Sequence, residues 1–110
     1  MAKYVIRFSP EYGATSLWPE NDAARSDLGM PIQYRKVNLS EDLILRLEKF
    51  DESVMNIVDW AEPNGPSPLA KEEQMKIYHE GVQLFDLVRK ELGSDYEVLN
   101  RLDWIYPSDE

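Results

Sequence analysis

The sequence predicts an α+β fold: a small, mainly antiparallel sheet in β-β-α-α-β order, covered on one face by a helical hairpin. Two stretches of helical periodicity between Ser40 and Leu92, joined by the breaker-rich segment 62–68, predict the hairpin. Short stretches of period-two alternation before Ser40 and after Gly93 predict the strands, which need that hairpin to pack on. The 110 residues suit a single domain with one core, and an apolar content of 43% separates the chain from disordered polymers.

The first strand is Lys3–Phe8, with Tyr4, Ile6 and Phe8 on one face and Lys3, Val5 and Arg7 on the other; Pro10 ends it. From Ser9 to Pro31 no periodicity is sustained, and a loop of that length in a small domain is often functional. Within it Tyr12, Leu17 and Trp18 stand among glycine and proline. They are either anchors tucked under the loop or a binding surface. Met30–Val37 reads as the second strand.

The first helix starts at Ser40, an N-cap followed by Glu41 and Asp42, with Leu39 and Ile44 placed for a hydrophobic staple. Leu43, Leu47, Phe50, Val54, Ile57 and Val58 mark its buried face as far as about Trp60, and Asp42 with Arg46 gives an outer i,i+4 pair. The second helix opens on Ser67-Pro68 and runs to Gly93, with Met75, Tyr78, Val82, Phe85, Val88 and Leu92 as its stripe. Glu72, Lys76 and Glu80 line its outer face, and Asp86 with Lys90 repeats the spacing. Gly81 at mid-helix costs about 1 kcal/mol against alanine, which suggests close approach of another backbone. Tyr96, Val98, Leu102, Trp104 and Tyr106 share one parity and predict a final strand that Pro107 ends.

Charge narrows the function. Residues 41–97 hold fourteen acids against six bases, while residues 1–40 hold four against five, so the hairpin carries nearly all of the net −9. Such a field disfavours nucleic acid, whose phosphates need a basic footprint, and favours a basic protein partner. The longest apolar runs fall well short of the ~18 residues a membrane helix needs. Arg7 interrupts the N-terminal stretch too early for a secretory signal, and the chain has no cysteine for disulfide, thiolate or cysteine-zinc chemistry. These features together predict a cytoplasmic protein.

No catalytic, metal or cofactor site is predicted. His79, the only histidine, has no companion at metal-ligand spacing and no serine set beside it for nucleophilic chemistry. Glycine-rich phosphate loops and a Gly-x-Ser-x-Gly elbow are absent. Asp51-Glu52, Glu72-Glu73 and Asp109-Glu110 are i,i+1 neighbours whose carboxylates diverge, while Asp59 and Glu62 at the hairpin bend could share a site with the 11–22 loop.

Glu11-Tyr12-Gly13 followed by Leu17-Trp18, a helix opening on Leu39-Ser40, and the end Glu91-Leu92-Gly93-Ser94-Asp95-Tyr96-Glu97-Val98 resemble a group of small bacterial cytoplasmic proteins. In size, acidity and lack of a catalytic motif the chain is also similar to immunity proteins of bacterial toxin systems, including contact-dependent growth inhibition. That resemblance implies a protein that neutralises a toxin domain, often a basic one, by covering its active site or a nearby surface. The expected contacts are Glu11, Tyr12, Trp18, Glu20 and Asp22 from the loop, with Asp51, Glu52, Asp59, Trp60 and Glu62 from the hairpin end. Acids would steer the encounter and aromatics would anchor it. Two other readings stand beside this one: a homodimer or assembly module that self-associates through a sheet edge or the Trp104–Tyr106 strand, and a small enzyme using His79 or paired carboxylates.

Overall fold

The computed structural model describes residues 2–11, 13–59, 61–62 and 65–107. Its sheet has three strands in the order β2-β1-β3. Strand β1 (Tyr4–Phe8) lies in the centre, antiparallel to β2 (Leu17–Pro19) and parallel to β3 (Tyr96–Asn100). The α+β class is as predicted, whereas the sheet is evenly mixed, one pairing of each kind. Ile6 lies between Pro19 and Val98, and Phe8 between Leu17 and Asn100; Ile6, Phe8 and Leu17 are completely buried. The alternate positions Arg7, Trp18 and Leu99 share the other face.

The second strand comes from inside the stretch read as loop. Ser9 N–H donates to Ser16 O (2.7 Å) and Glu20 N–H to Val5 O (2.8 Å), so the ladder closes around a three-residue strand too short to show alternation in the sequence. Helix α1 (Asp22–Leu28) follows, started by Asn21, whose side chain accepts from Ala24 N–H at 3.0 Å. Seven residues with only Ala24 and Leu28 buried leave no periodic stripe to read.

Met30–Val37 is not a strand. Pro31 follows a cis peptide bond, Ile32 makes one ladder-like bond to Leu17 O (2.9 Å), and Tyr34–Lys36 forms a 3-10 turn closed by Lys36 N–H on Gln33 O (2.9 Å). Pro31 has no N–H to offer a neighbouring strand, and Ile32, Tyr34 and Val37 are buried at spacings that no single strand face provides. The last predicted strand also shortens. The Asn100 side chain accepts from Leu102 N–H (3.0 Å), and a second 3-10 turn, Asp103–Ile105, buries Leu102 and Ile105 and leaves Trp104 and Tyr106 exposed.

The two long helices form the predicted hairpin. Helix α2 (Glu41–Val54) begins at Ser40, whose hydroxyl accepts from Leu43 N–H at 3.3 Å, and ends well before Trp60 in a turn that still buries Ile57. Helix α3 (Lys71–Leu92) starts later than Ser67-Pro68 predicts: Ser67 Oγ accepts from Leu69 N–H (3.2 Å), one turn short of the helix, and Ala70 is the N-cap. Gly93 stops α3 at φ +80° with ψ −165°, an extended left-handed region beyond αL that suits glycine. Glu91 in the last turn of α3 accepts from both the backbone N–H (2.6 Å) and the hydroxyl (2.8 Å) of Ser40, tying one helix end to the other helix start. Helix α3 packs on both β3 and α2.

Candidate partner-binding site

A cleft of about 620 Å³ opens between the 13–15 loop, the turn around Tyr34, and the later turns of α2 from Glu48 to Met55. Two of its lining residues, Tyr34 and Asp51, meet the buried Ser16 in a three-residue node behind it. Asp51 accepts from the Ser16 hydroxyl on one carboxylate oxygen and from the Tyr34 hydroxyl on the other, while the Tyr34 oxygen accepts from Ser16 N–H at 2.8 Å. Ser16 and Tyr34 are buried, so these hydroxyls brace the loop against α2. Thr15 adds a bond from its hydroxyl to Ile32 O at 2.7 Å.

Burial raises the Asp51 carboxyl to a pKa of about 6, although both hydroxyl donors pull it down. Burial and the adjoining carboxylate raise the Tyr34 hydroxyl, which therefore stays protonated and keeps donating. Around the mouth Glu48 and Glu52 add two more acids against the single cation Arg35, which is held by Glu41 (2.7 Å) and Glu48 (3.4 Å). Glu52 is exposed and forms no ion pair among the described residues. The recess is thus acid-rimmed, with Ala14, Pro31 and Met55 as apolar wall, and its chemistry suits a cationic side chain.

The expected contact residues divide between places. Asp51 and Glu52 line the cleft, and exposed Glu11 precedes its loop, closing a turn from Ala14 N–H to Glu11 O (3.4 Å). Trp18 is half-buried on β2, with the Arg7 guanidinium 5.3 Å from its ring, and its indole N–H is buried without an acceptor among the described residues. Glu20 pairs with Arg7 at 3.6 Å, and Asp22 with Arg25 at 2.9 Å on α1. Neither these two acids nor Trp18 lines the cleft. Asp59 caps the turn after α2 by accepting from Ala61 N–H (3.0 Å), and Glu62 is exposed beside it. Tyr12 and Trp60 lie outside the described residues.

Ser16, Tyr34, Arg35 and Glu48 escaped sequence reasoning because residues 16, 34 and 51 meet only through the tertiary fold. A buried serine carries no local signature. His79 is exposed on α3 and lines neither this cleft nor the groove on the other side of α2. Among the described residues no group of three or more His, Cys, Asp or Glu side chains could hold a metal ion, and no helix is long and apolar enough to cross a membrane.

Comparison with known proteins places these features in context. The family described as Serratia CdiI immunity protein-like matches residues 4–101, from the first residue of β1 to just past the end of β3. A search of curated proteins finds no match.

Proposed function

Because the chain belongs to the Serratia CdiI immunity protein-like family, we propose that it neutralises a cognate toxin domain by binding it directly through acidic surface at the cleft beside α2. The observation that carries this reading is the cleft itself, where three carboxylates face one cation already held by two acids. A lysine or arginine of the toxin would enter with its charge matched and its methylene stem against Met55 and Pro31. Glu11, Glu52, Asp59 and Glu62 are the exposed acids proposed to steer it, and Trp18 the proposed aromatic contact. Asp51 has a different role: bonded on both oxygens, it shapes the wall and adds its charge from behind.

The test is binding of the purified toxin domain to the wild-type chain and to Glu52→Lys, Glu11→Lys and Asp59→Lys variants across a salt series. Reversal at Glu52 is expected to weaken association by roughly tenfold or more, and added salt to slow it. Association that ignores both salt and charge reversal would sink the electrostatic reading, and a wild-type chain that does not bind its toxin would sink direct neutralisation. Self-association is a second reading, favoured by the exposure of Trp104 and Tyr106 on the last turn. A mass independent of concentration would remove it.

A further inference from the structure

We propose that the groove between α2 and α3 is a second recognition site, which takes an apolar side chain flanked by carboxylates from a protein partner. The groove holds about 200 Å³ and is built from Arg46, Lys49, Phe50 and Ser53 on α2 with Lys76, Ile77 and Glu80 on α3. Its chemistry inverts that of the hairpin around it. In a stretch where acids outnumber bases fourteen to six, three cations from two helices converge on one recess. Arg46 is neutralised by Glu80 across the helices, at 2.8 Å. Lys49 and Lys76 are exposed and form no ion pair among the described residues.

Lys76 is the more telling of the two. Glu72 and Glu80 stand four residues before and after it, the spacing at which helical acids pair with lysine, and it pairs with neither. Glu80 is turned to Arg46, which likewise forgoes Asp42 on its own helix. The cross-helix pair thus fixes one end of the groove and leaves two ammonium groups over a floor of Phe50 and Ile77. A site of that volume is below the roughly 300 Å³ at which small-molecule pockets begin, and it suits one inserted side chain. Apolar floor and paired cations together call for an apolar residue with acidic neighbours. The groove lies on the opposite side of α2 from the acidic cleft, so this inference does not rest on the toxin-binding reading.

The experiment is a titration of the ¹⁵N-labelled full chain with short capped peptides: leucine flanked by glutamates, leucine flanked by lysines, and serine flanked by glutamates, with inorganic phosphate as a fourth probe. The leucine–glutamate peptide is expected to move the amide resonances of Lys49, Phe50, Lys76 and Ile77 at least fivefold further than each other probe, and Lys49→Glu with Lys76→Glu to abolish the shifts. Should that double reversal fail to fold, Lys49→Gln with Lys76→Gln reads out the same loss. Equal shifts from the serine–glutamate peptide or from phosphate would reduce the groove to a bare anion site and overturn the proposal. So would equal shifts from the lysine-flanked peptide, shifts confined to other residues, or none.

Discussion

Asp51 keeps its charge against its surroundings, and pH can relieve it. Its folded pKa of about 6 stands above the ordinary 3.8 because burial outweighs the Ser16 and Tyr34 donors. A carboxyl raised on folding stabilises the fold in full below the unfolded value, and that contribution is lost as pH rises through about 6. Lowering the pH from 7.5 to 5 should therefore raise the unfolding free energy by about 1 kcal/mol from this group, and the rise should vanish in Asp51→Asn. Chemical denaturation at both pH values checks it; identical pH slopes in the two proteins would refute it. Tyr34→Phe removes a donor to that carboxylate and the acceptor of Ser16 N–H, and should cost about 1–3 kcal/mol by urea denaturation.

Among the elements, α2 and α3 are held face to face by a glycine whose role the sequence half reveals. Its position in mid-helix pointed to close approach of another backbone, but the close neighbours are side chains. A Cβ at Gly81 would lie 2.9 Å from Phe50 Cζ and 3.2 Å from Leu102 Cδ2, both on buried residues. Helix propensity favours alanine there by about 1 kcal/mol, while overpacking a core costs about 1–3 kcal/mol. Gly81→Ala should destabilise the protein by about 1 kcal/mol in urea; a stabilised variant would show that Phe50 can move. The Ser40–Glu91 clasp invites a parallel measurement, since Glu91→Ala should cost about 1 kcal/mol by freeing the N-terminus of α2. Long amphipathic helices announce themselves because their burial repeats along the chain. Strand β2 and helix α1 do not, since three and seven residues are too few to repeat anything and their place is set by ladder bonds and by the Asn21 cap. For the same reason Asp51 and Glu52 were legible as hairpin acids, whereas the cleft they line was not: its other walls arrive from residues 13–15 and 31–35.

Over the whole molecule, an excess of nine negative charges acts before contact. The association rate with a basic partner should fall on the order of tenfold between 50 and 500 mM salt, measurable by stopped flow, while the dissociation rate changes far less. Composition alone gave that field. It could not give the inverted sign of the α2–α3 groove, which arises because Arg46 and Lys49 from α2 meet Lys76 from α3 with Glu80 as the one acid among them. The parallel pairing of β1 with β3 has a consequence of another kind. The central strand, residues 4–8, finds its second neighbour only in residues 96–100, across some ninety positions of chain. A contact of that span closes late, because the loop entropy must be met before any bond rewards it. On the ribosome the sheet stays open until synthesis has passed residue 100 and β3 has left the exit tunnel. A chain made only as far as α3 therefore lacks one neighbour of its central strand, and the sheet closes only once β3 arrives.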